Sequence, residues 1–208
     1  MNLPQQMNLR ISSKNKYLAT IELEDLSRGI LPIKQISSLY PSDYEGEISE
    51  SEANQIIKML EDYAFNLLVK YLAKEEHSQY QCVLYLQRKG FCSEIVQDAI
   101  HRCLELNYLN DQRFAELLIS SYIKRKASKR AITAKLSANH IPINVWKPLL
   151  EELYTEEEKA SNLEELLKKY YSTHSNLPPE KLKERAFGYL FRKGFDPDDI
   201  RDAIENLS

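Results

Sequence analysis

Apolar residues along this chain follow two different periods. Residues 9 to 36 are rich in β-branched side chains and alternate in places: in Tyr17-Leu18-Ala19-Thr20-Ile21-Glu22-Leu23, the residues Tyr17, Ala19, Ile21 and Leu23 share one side of an extended strand. One or two short strands are predicted there. Pro32 and Pro41 then punctuate a less regular stretch ending at Gly46. Beyond it the spacing is helical. Ser49 with Glu52 has capping-box spacing and predicts a helix from Glu50 that carries Ile56, Ile57 and Leu60. Ala64, Leu67, Leu68, Tyr71 and Leu72 recur three or four apart, as do Phe114, Leu117, Leu118, Ser121 and Tyr122, so each set predicts one buried stripe. Thr155 with Glu158 predicts a second capping box, opening a helix that includes Leu163, Leu166, Leu167 and Tyr170, and the stretch from Asn176 to Pro179 ends it.

The helical part repeats itself. Tyr85-Leu86-Gln87-Arg88-Lys89-Gly90-Phe91, continuing to Val96, Ala99, Ile100 and Leu104, aligns with Tyr189-Leu190-Phe191-Arg192-Lys193-Gly194-Phe195, continuing to Ile200, Ala203, Ile204 and Leu207. A more worn copy lies between them, with Leu136, His140, Ile141, Trp146, Leu149, Leu150 and Leu153 at the matching places. The spacing leaves each copy room for three helices of ordinary length. A glycine able to take the left-handed conformation ends one helix, and the aromatic after it folds back onto the apolar stripe. Asp196-Pro197-Asp198-Asp199 then reads as a helix start, with Asp196 as cap, Pro197 in the first turn and further acids toward the positive dipole end. His140 stands where the other copies have glycine, which predicts a strained or altered turn. Units this short bury their apolar faces against neighbours, and tandem units of this kind predict an array suited to an extended partner.

The expected fold class is therefore mainly α, with tandem three-helix repeats forming an elongated array and a small N-terminal region containing one or two short strands. The expected organisation is an N-terminal extension over residues 1–48, a first helical unit with its leading helix over 49–110, a second unit over 111–154 and a third over 155–208. Only five glycines and eight prolines among 208 residues leave long stretches free to be helix. The net charge of -3 hides an uneven distribution. Asp43, Glu45, Glu47, Glu50, Glu52, Glu61 and Asp62 face the single base Lys58, whereas Arg113, Lys124, Arg125, Lys126, Lys129, Arg130 and Lys135 face Glu116 alone. Such asymmetry points to a polyanion or an acidic protein surface as partner, against the simpler alternative of a solvated helix face. Cys82, Cys92 and Cys103 lack close metal or redox spacing and read as buried thiols. With neither a signal-like segment nor an apolar run of membrane-spanning length, a cytoplasmic protein without a membrane partner is expected.

These repeats, together with Tyr108-Leu109-Asn110-Asp111-Gln112-Arg113-Phe114-Ala115, resemble the RecX family of bacterial regulators of the RecA recombinase, over about residues 60 to 207. The most specific string is Leu-Asn-Asp-x-x-Phe-Ala from Leu109 to Ala115; His77-Ser78 and the Arg-Lys-Gly-Phe turn at 192 to 195 also fit. Lys126-Ala127 and Asn139-His140 stand where the family would have Lys-Gly, and Gln81 and Tyr85 replace a more usual Glu and Lys. The resemblance implies a non-enzymatic, monomeric modulator without a cofactor, which binds the RecA nucleoprotein filament, usually inhibits its strand exchange and ATP hydrolysis, and has single- or double-stranded DNA as a further possible contact.

Residue chemistry agrees in kind. His77, His101, His140 and His174 are scattered without metal-ligand spacing, and no phosphate-cradling glycine loop or nucleophile elbow is present. Acid pairs such as Glu151 with Glu152 and Asp198 with Asp199 point in different directions on a helix and suit helix-end or solvent roles. The binding candidates are Lys124, Arg125, Lys126, Lys129, Arg130 and Lys135 of the second unit; Lys126, Lys129 and Arg130 share a face if the helix continues or reforms through Ser128. Arg88 with Lys89, and Arg192 with Lys193, recur at one point of the first and third units, where stabilising a helix dipole explains them as well as binding does. Trp146 occupies the apolar slot of Val96 and Ile200 and reads as core, and Tyr122 is a weaker stacking candidate. The rival reading is a general DNA-binding protein of helix-turn-helix-like units, disfavoured by net acidity and by the lack of a recognition helix rich in Arg, Asn and Gln. A structural adaptor for another protein is the third class.

Overall fold

A computed structural model describes residues 6 to 207, and the chain divides into two compact bodies, Met1–Asn110 and Asp111–Ser208. Among the described residues no helix is long and apolar enough to cross a membrane.

The N-terminal body opens with strands β1 (Gln6–Ser13), β2 (Leu18–Leu23) and β3 (Leu26–Pro32), the short helix α1 (Ile33–Ile36) and strand β4 (Glu45–Ser49). All pairings are antiparallel, in the order β3-β2-β1-β4. Four strands thus stand where one or two were expected, and the stretch read as irregular up to Gly46 contains the start of the fourth. Ala19, Ile21 and Leu23 do share a buried face, but Tyr17 precedes the strand and is exposed. The β2–β3 connection was hard to read because Glu24 and Asp25 both adopt positive φ, 52° and 59°, the primed-turn conformation that Asn-Gly normally announces. Asn15 makes the other hairpin turn, its side-chain oxygen accepting from the Tyr17 and Leu18 amides at 2.9 and 3.0 Å.

Helix α2 (Glu50–Leu72) follows without a break, started by the expected capping box: the Ser49 hydroxyl accepts from the Glu52 amide at 3.3 Å, and the Glu52 carboxylate accepts from the Ser49 amide at 2.8 Å. Its stripe of Ala53, Ile56, Leu60, Ala64 and Leu68 enters the same core as Leu9, Ile11, Ile21 and Leu31 of the sheet. Helices α3 (Gln79–Lys89) and α4 (Ser93–Glu105) complete that core with Leu86, Val96, Ala99 and Ile100. Sheet and first helical unit are therefore stabilised by one continuous apolar cluster, in which each fully buried Leu or Ile is worth roughly 1.5 to 3 kcal/mol. Ser78 and Gln81 form a second complete capping box, at α3, so the glutamine serves the turn in place of a glutamate.

The C-terminal body contains two further three-helix sets. The first is α5 (Asp111–Lys124), α6 (Lys129–Ala138) and α7 (Ile143–Leu153); the second is α8 (Glu156–Thr173), α9 (Pro179–Arg192) and α10 (Pro197–Asn206). Each has its own apolar cluster, around Phe114, Ile119, Leu136, Trp146 and Leu150 in one and Leu163, Leu167, Leu190, Phe195 and Ile200 in the other. Trp146 is core, as its slot predicts. Leu117 is exposed, because the buried stripe of α5 runs through Phe114, Ala115 and Ile119. At α8 Thr155 accepts from the Glu158 amide at 3.2 Å, which is the hydroxyl half of the predicted box. Asp196 caps α10 as predicted, with Pro197 in its first turn.

The reversals after α3, α6 and α9 share one geometry. Gly90, His140 and Gly194 have φ of 104°, 55° and 89°, so the histidine adopts the same left-handed turn as the glycines instead of changing its form. The spare space differs between the two glycines. A methyl at Gly90 would meet nothing closer than the Lys14 ammonium at 3.8 Å, whereas one at Gly194 would lie 2.9 Å from the Ser128 hydroxyl. Gly90→Ala is expected to cost about 1 to 2 kcal/mol from backbone conformation alone. Gly194→Ala should cost more, because the clash adds to the conformational term, and urea unfolding of the two variants measures the difference.

Candidate basic binding surface

The chain does not continue as helix from Lys124 to Arg130. Helix α5 stops at Lys124, Lys126 takes a positive φ of 59°, and the Ala127 amide returns to the Tyr122 carbonyl at 3.0 Å. Ser128 then caps α6, its hydroxyl accepting from the Ala131 amide at 3.2 Å. The shared face expected for Lys126, Lys129 and Arg130 is therefore absent. Lys126 sits in the turn, where its ammonium meets Glu165 of α8 at 2.7 Å. Lys129 and Arg130 are exposed in the first turn of α6, which contains no acid.

That position runs against helix electrostatics. The first turn is the positive end of the helix dipole, where each exposed cation costs about 0.3 to 1 kcal/mol. Neither Lys129 nor Arg130 has an ion-pair partner among the described residues. By contrast Arg88 and Arg192 lie in the last turns of α3 and α9, and Lys89 and Lys193 lie beside them, where the dipole welcomes cations. Lys89 and Lys193 also lie over the rings of Tyr85 and Tyr189, at 5.4 and 5.2 Å from the ring centres. A purely structural explanation covers those two pairs and fails for the α6 pair.

Two contacts join the start of α6 to the end of α9. The Ser128 hydroxyl donates to the Lys193 carbonyl at 2.8 Å, and the Arg130 stem lies against Gly194. Ser128 is 1% exposed, so this bond is shielded from water. Within the second unit, the Tyr154 hydroxyl at the end of α7 donates to the Ala127 carbonyl of the α5–α6 turn at 3.1 Å. The result sets Lys129 and Arg130 beside the backbone at the end of α9, while the Arg192 guanidinium lies near Gly188, the Lys193 ammonium lies over Tyr189, and Lys126 is held by Glu165. Arg125 lies 5.9 Å from the centre of the Tyr122 ring, which is itself half-buried against the second-unit core. Lys135 is at the far end of α6, where Asn139 reaches back to its carbonyl at 2.8 Å. Arg88 and Lys89 belong to the N-terminal body.

Sequence reasoning overlooked Ser128 and Glu165. A serine just before Lys129-Arg130-Ala131-Ile132 is a readable cap, but nothing in the sequence pairs Lys126 with a residue on another helix. Next to the joint a cleft of about 530 Å³ is lined by Lys129, Arg130, Tyr154, Lys159, Phe191 and others. Within it Lys159 is held between Glu156 at 2.5 Å and Asp199 at 2.9 Å, and hydrogen bonds to these two carboxylates push its pKa up to about 12. It is therefore a fixed counter-ion rather than a free cation.

Two family descriptions match this chain: RecX, first three-helix domain, over residues 64–103, and RecX, third three-helix domain, over residues 156–204. Regulatory protein RecX of Haemophilus influenzae is 27% identical over 143 residues, covering 68% of this chain and 92% of that protein. Regulatory protein RecX of Caldanaerobacter subterraneus subsp. tengcongensis is 26% identical over 176 residues, covering 85% and 81%. A crystal structure of regulatory protein RecX superposes with a TM-score of 0.68 at 17% identity over 95% of this chain and 99% of that one. RecX from Lactobacillus salivarius gives 0.65 at 20% identity over 71% and 96%. At such identities the structural likeness speaks for the fold, and the sequence matches at both ends of the helical part carry the assignment: the chain belongs to the RecX family of regulatory proteins.

Proposed function

We propose that this protein regulates RecA by binding the RecA nucleoprotein filament and restraining its strand exchange and ATP hydrolysis, with the basic joint of the C-terminal body as its main contact. Membership of a family of regulatory proteins supports the first half of this reading. The observation that carries the second half is the pair Lys129 and Arg130, exposed without ion-pair partners at the helix end that disfavours cations. Cations held against their own helix are released from that cost by a phosphate or a carboxylate, so the surface is set for an anionic partner. Lys124, Arg125, Lys135, Arg192 and Lys193 extend the positive field around it, and Arg88 with Lys89 supply a separate basic group in the N-terminal body. No catalytic step is assigned to any residue, and no cofactor enters the reading.

Charge reversal of the pair, Lys129→Glu with Arg130→Glu, should weaken co-sedimentation with RecA filaments. If the contacts are to phosphates, it should also lower the slope of log affinity against log salt by roughly 0.7 to 0.9 per contact. Unchanged binding and unchanged inhibition of RecA-driven ATP hydrolysis would move the contact elsewhere. Glu165→Gln frees Lys126 from its internal partner and is expected to tighten filament binding, most visibly at low salt. Titration with bare duplex DNA separates this reading from an autonomous DNA-binding protein, since strong RecA-independent affinity would favour the latter.

A further inference from the structure

The third helical unit departs from the other two at one solvent-facing position. Counting from the aligned leucines, Gln87 of α3 and Ser137 of α6 correspond to Phe191 of α9. The first two are exposed polar residues; Phe191 is a phenylalanine left 49% exposed. Packing does not demand an aromatic there, because Leu190 and Phe195 already fill the core of that unit. Phe191 borders the 530 Å³ cleft that also receives Lys129 and Arg130. Phe187 lies behind it, with ring centres 6.3 Å apart and planes within 9°, which gives the exposed ring a fixed orientation.

The charges of the cleft are unequally committed. Glu156 and Asp199 are both taken up by Lys159, and one Asp196 oxygen accepts from the Asp198 amide at 3.0 Å as the cap of α10. Tyr154 has turned its hydroxyl to the Ala127 carbonyl. Beside the Asp196 carboxylate, which keeps its charge and its second oxygen, the cleft offers two cations without an ion-pair partner and one flat apolar ring. This is the combination used for sequence-tolerant recognition of single strands, in which a ring stacks on a base while cations hold the adjoining backbone.

We infer that this cleft holds one nucleotide of a single strand, its base against Phe191 and its phosphate on Lys129 and Arg130. The inference rests on the reading of the basic joint as the filament contact and specifies which part of the nucleoprotein that joint reaches. Aromatic–base stacking is worth about 1 to 3 kcal/mol per base, so Phe191→Ala, and equally Phe191→Leu, should weaken binding of a short oligodeoxythymidine by roughly 5- to 150-fold. Leucine preserves apolar packing without offering a stacking face, so recovery of full affinity by Phe191→Leu would assign the ring a structural role and overturn the proposal.

The decisive experiment places a reporter in the cleft. Phe191→Trp in the full chain is titrated at low salt with the oligodeoxythymidine and, separately, with thymidine monophosphate. Wild type supplies the background of Trp146, which is buried in the second-unit core. Saturable quenching by the oligomer, much weaker quenching by the mononucleotide, and loss of quenching on adding Lys129→Glu and Arg130→Glu are expected. Equal response to the mononucleotide would make this a free-nucleotide pocket and overturn the strand assignment. Absence of quenching in a variant that keeps wild-type far-ultraviolet circular dichroism and still co-sediments with RecA filaments would sink the cleft while leaving the filament reading intact. Failure of the wild type to co-sediment with filaments, together with oligomer quenching of the tryptophan variant, would do the reverse.

Discussion

In each helical unit one residue is held in the left-handed region after the middle helix. The amide that follows returns to the carbonyl five residues back: Phe91 to Leu86, Ile141 to Leu136 and Phe195 to Leu190, each at 3.3 Å. The acceptor is in each case the backbone of a buried leucine, and the donor belongs to a residue whose own side chain is buried. One hydrogen bond therefore aligns two core side chains and fixes the direction of departure for the third helix. Val96, Trp146 and Ile200 arrive at equivalent core slots because the chain has been turned through the same angle. Without that turn, each unit would be three amphipathic helices with no common axis on which to pack.

The same constraint decides what could be read beforehand. At Gly90 and Gly194 residue chemistry advertises the conformation, since glycine enters it without a Cβ penalty. His140 does not advertise it, although its backbone does the same thing. Only the register of the flanking leucines and of Ile141 reveals the turn. The sheet was under-read for a related reason. Glu24-Asp25 performs a primed turn without the usual glycine, and β4 is a five-residue strand whose single buried residue, Ile48, gives no period to detect. The helices were more legible, because a stripe repeated over three or more turns survives single exceptions such as Leu117. The basic joint was legible as composition but not as geometry: Lys129 and Arg130 stood out as charges, yet their place at a helix start depends on Lys126 taking the left-handed form, which lysine seldom announces.

The distribution of cations along the chain sorts them by what their own helices provide. Arg88 and Arg192 sit where backbone carbonyls accumulate negative potential, and they would stabilise their helices in a protein with no partner at all. Lys126 has an internal carboxylate. Lys129 and Arg130 have neither benefit, and this absence of internal compensation separates a binding surface from a merely charged one. Net charge would not have made the distinction, since the chain as a whole is acidic.

Ser128 explains how that uncompensated pair is tolerated. Its hydroxyl accepts from the first turn of α6 and donates to the carbonyl of Lys193, the residue that caps the end of α9, so the start of one helix meets the end of another across a single buried group. An acid in the first turn of α6 would have stabilised the helix more simply and would have neutralised the surface. The serine relay keeps the helix capped and leaves both charges available, and it places them beside Phe191 because the turn that exposes the Lys193 carbonyl begins two residues after that ring. Structural capping and the geometry of the cleft are therefore one arrangement, set by the closeness of Ser128 to Gly194, where no side chain fits between them.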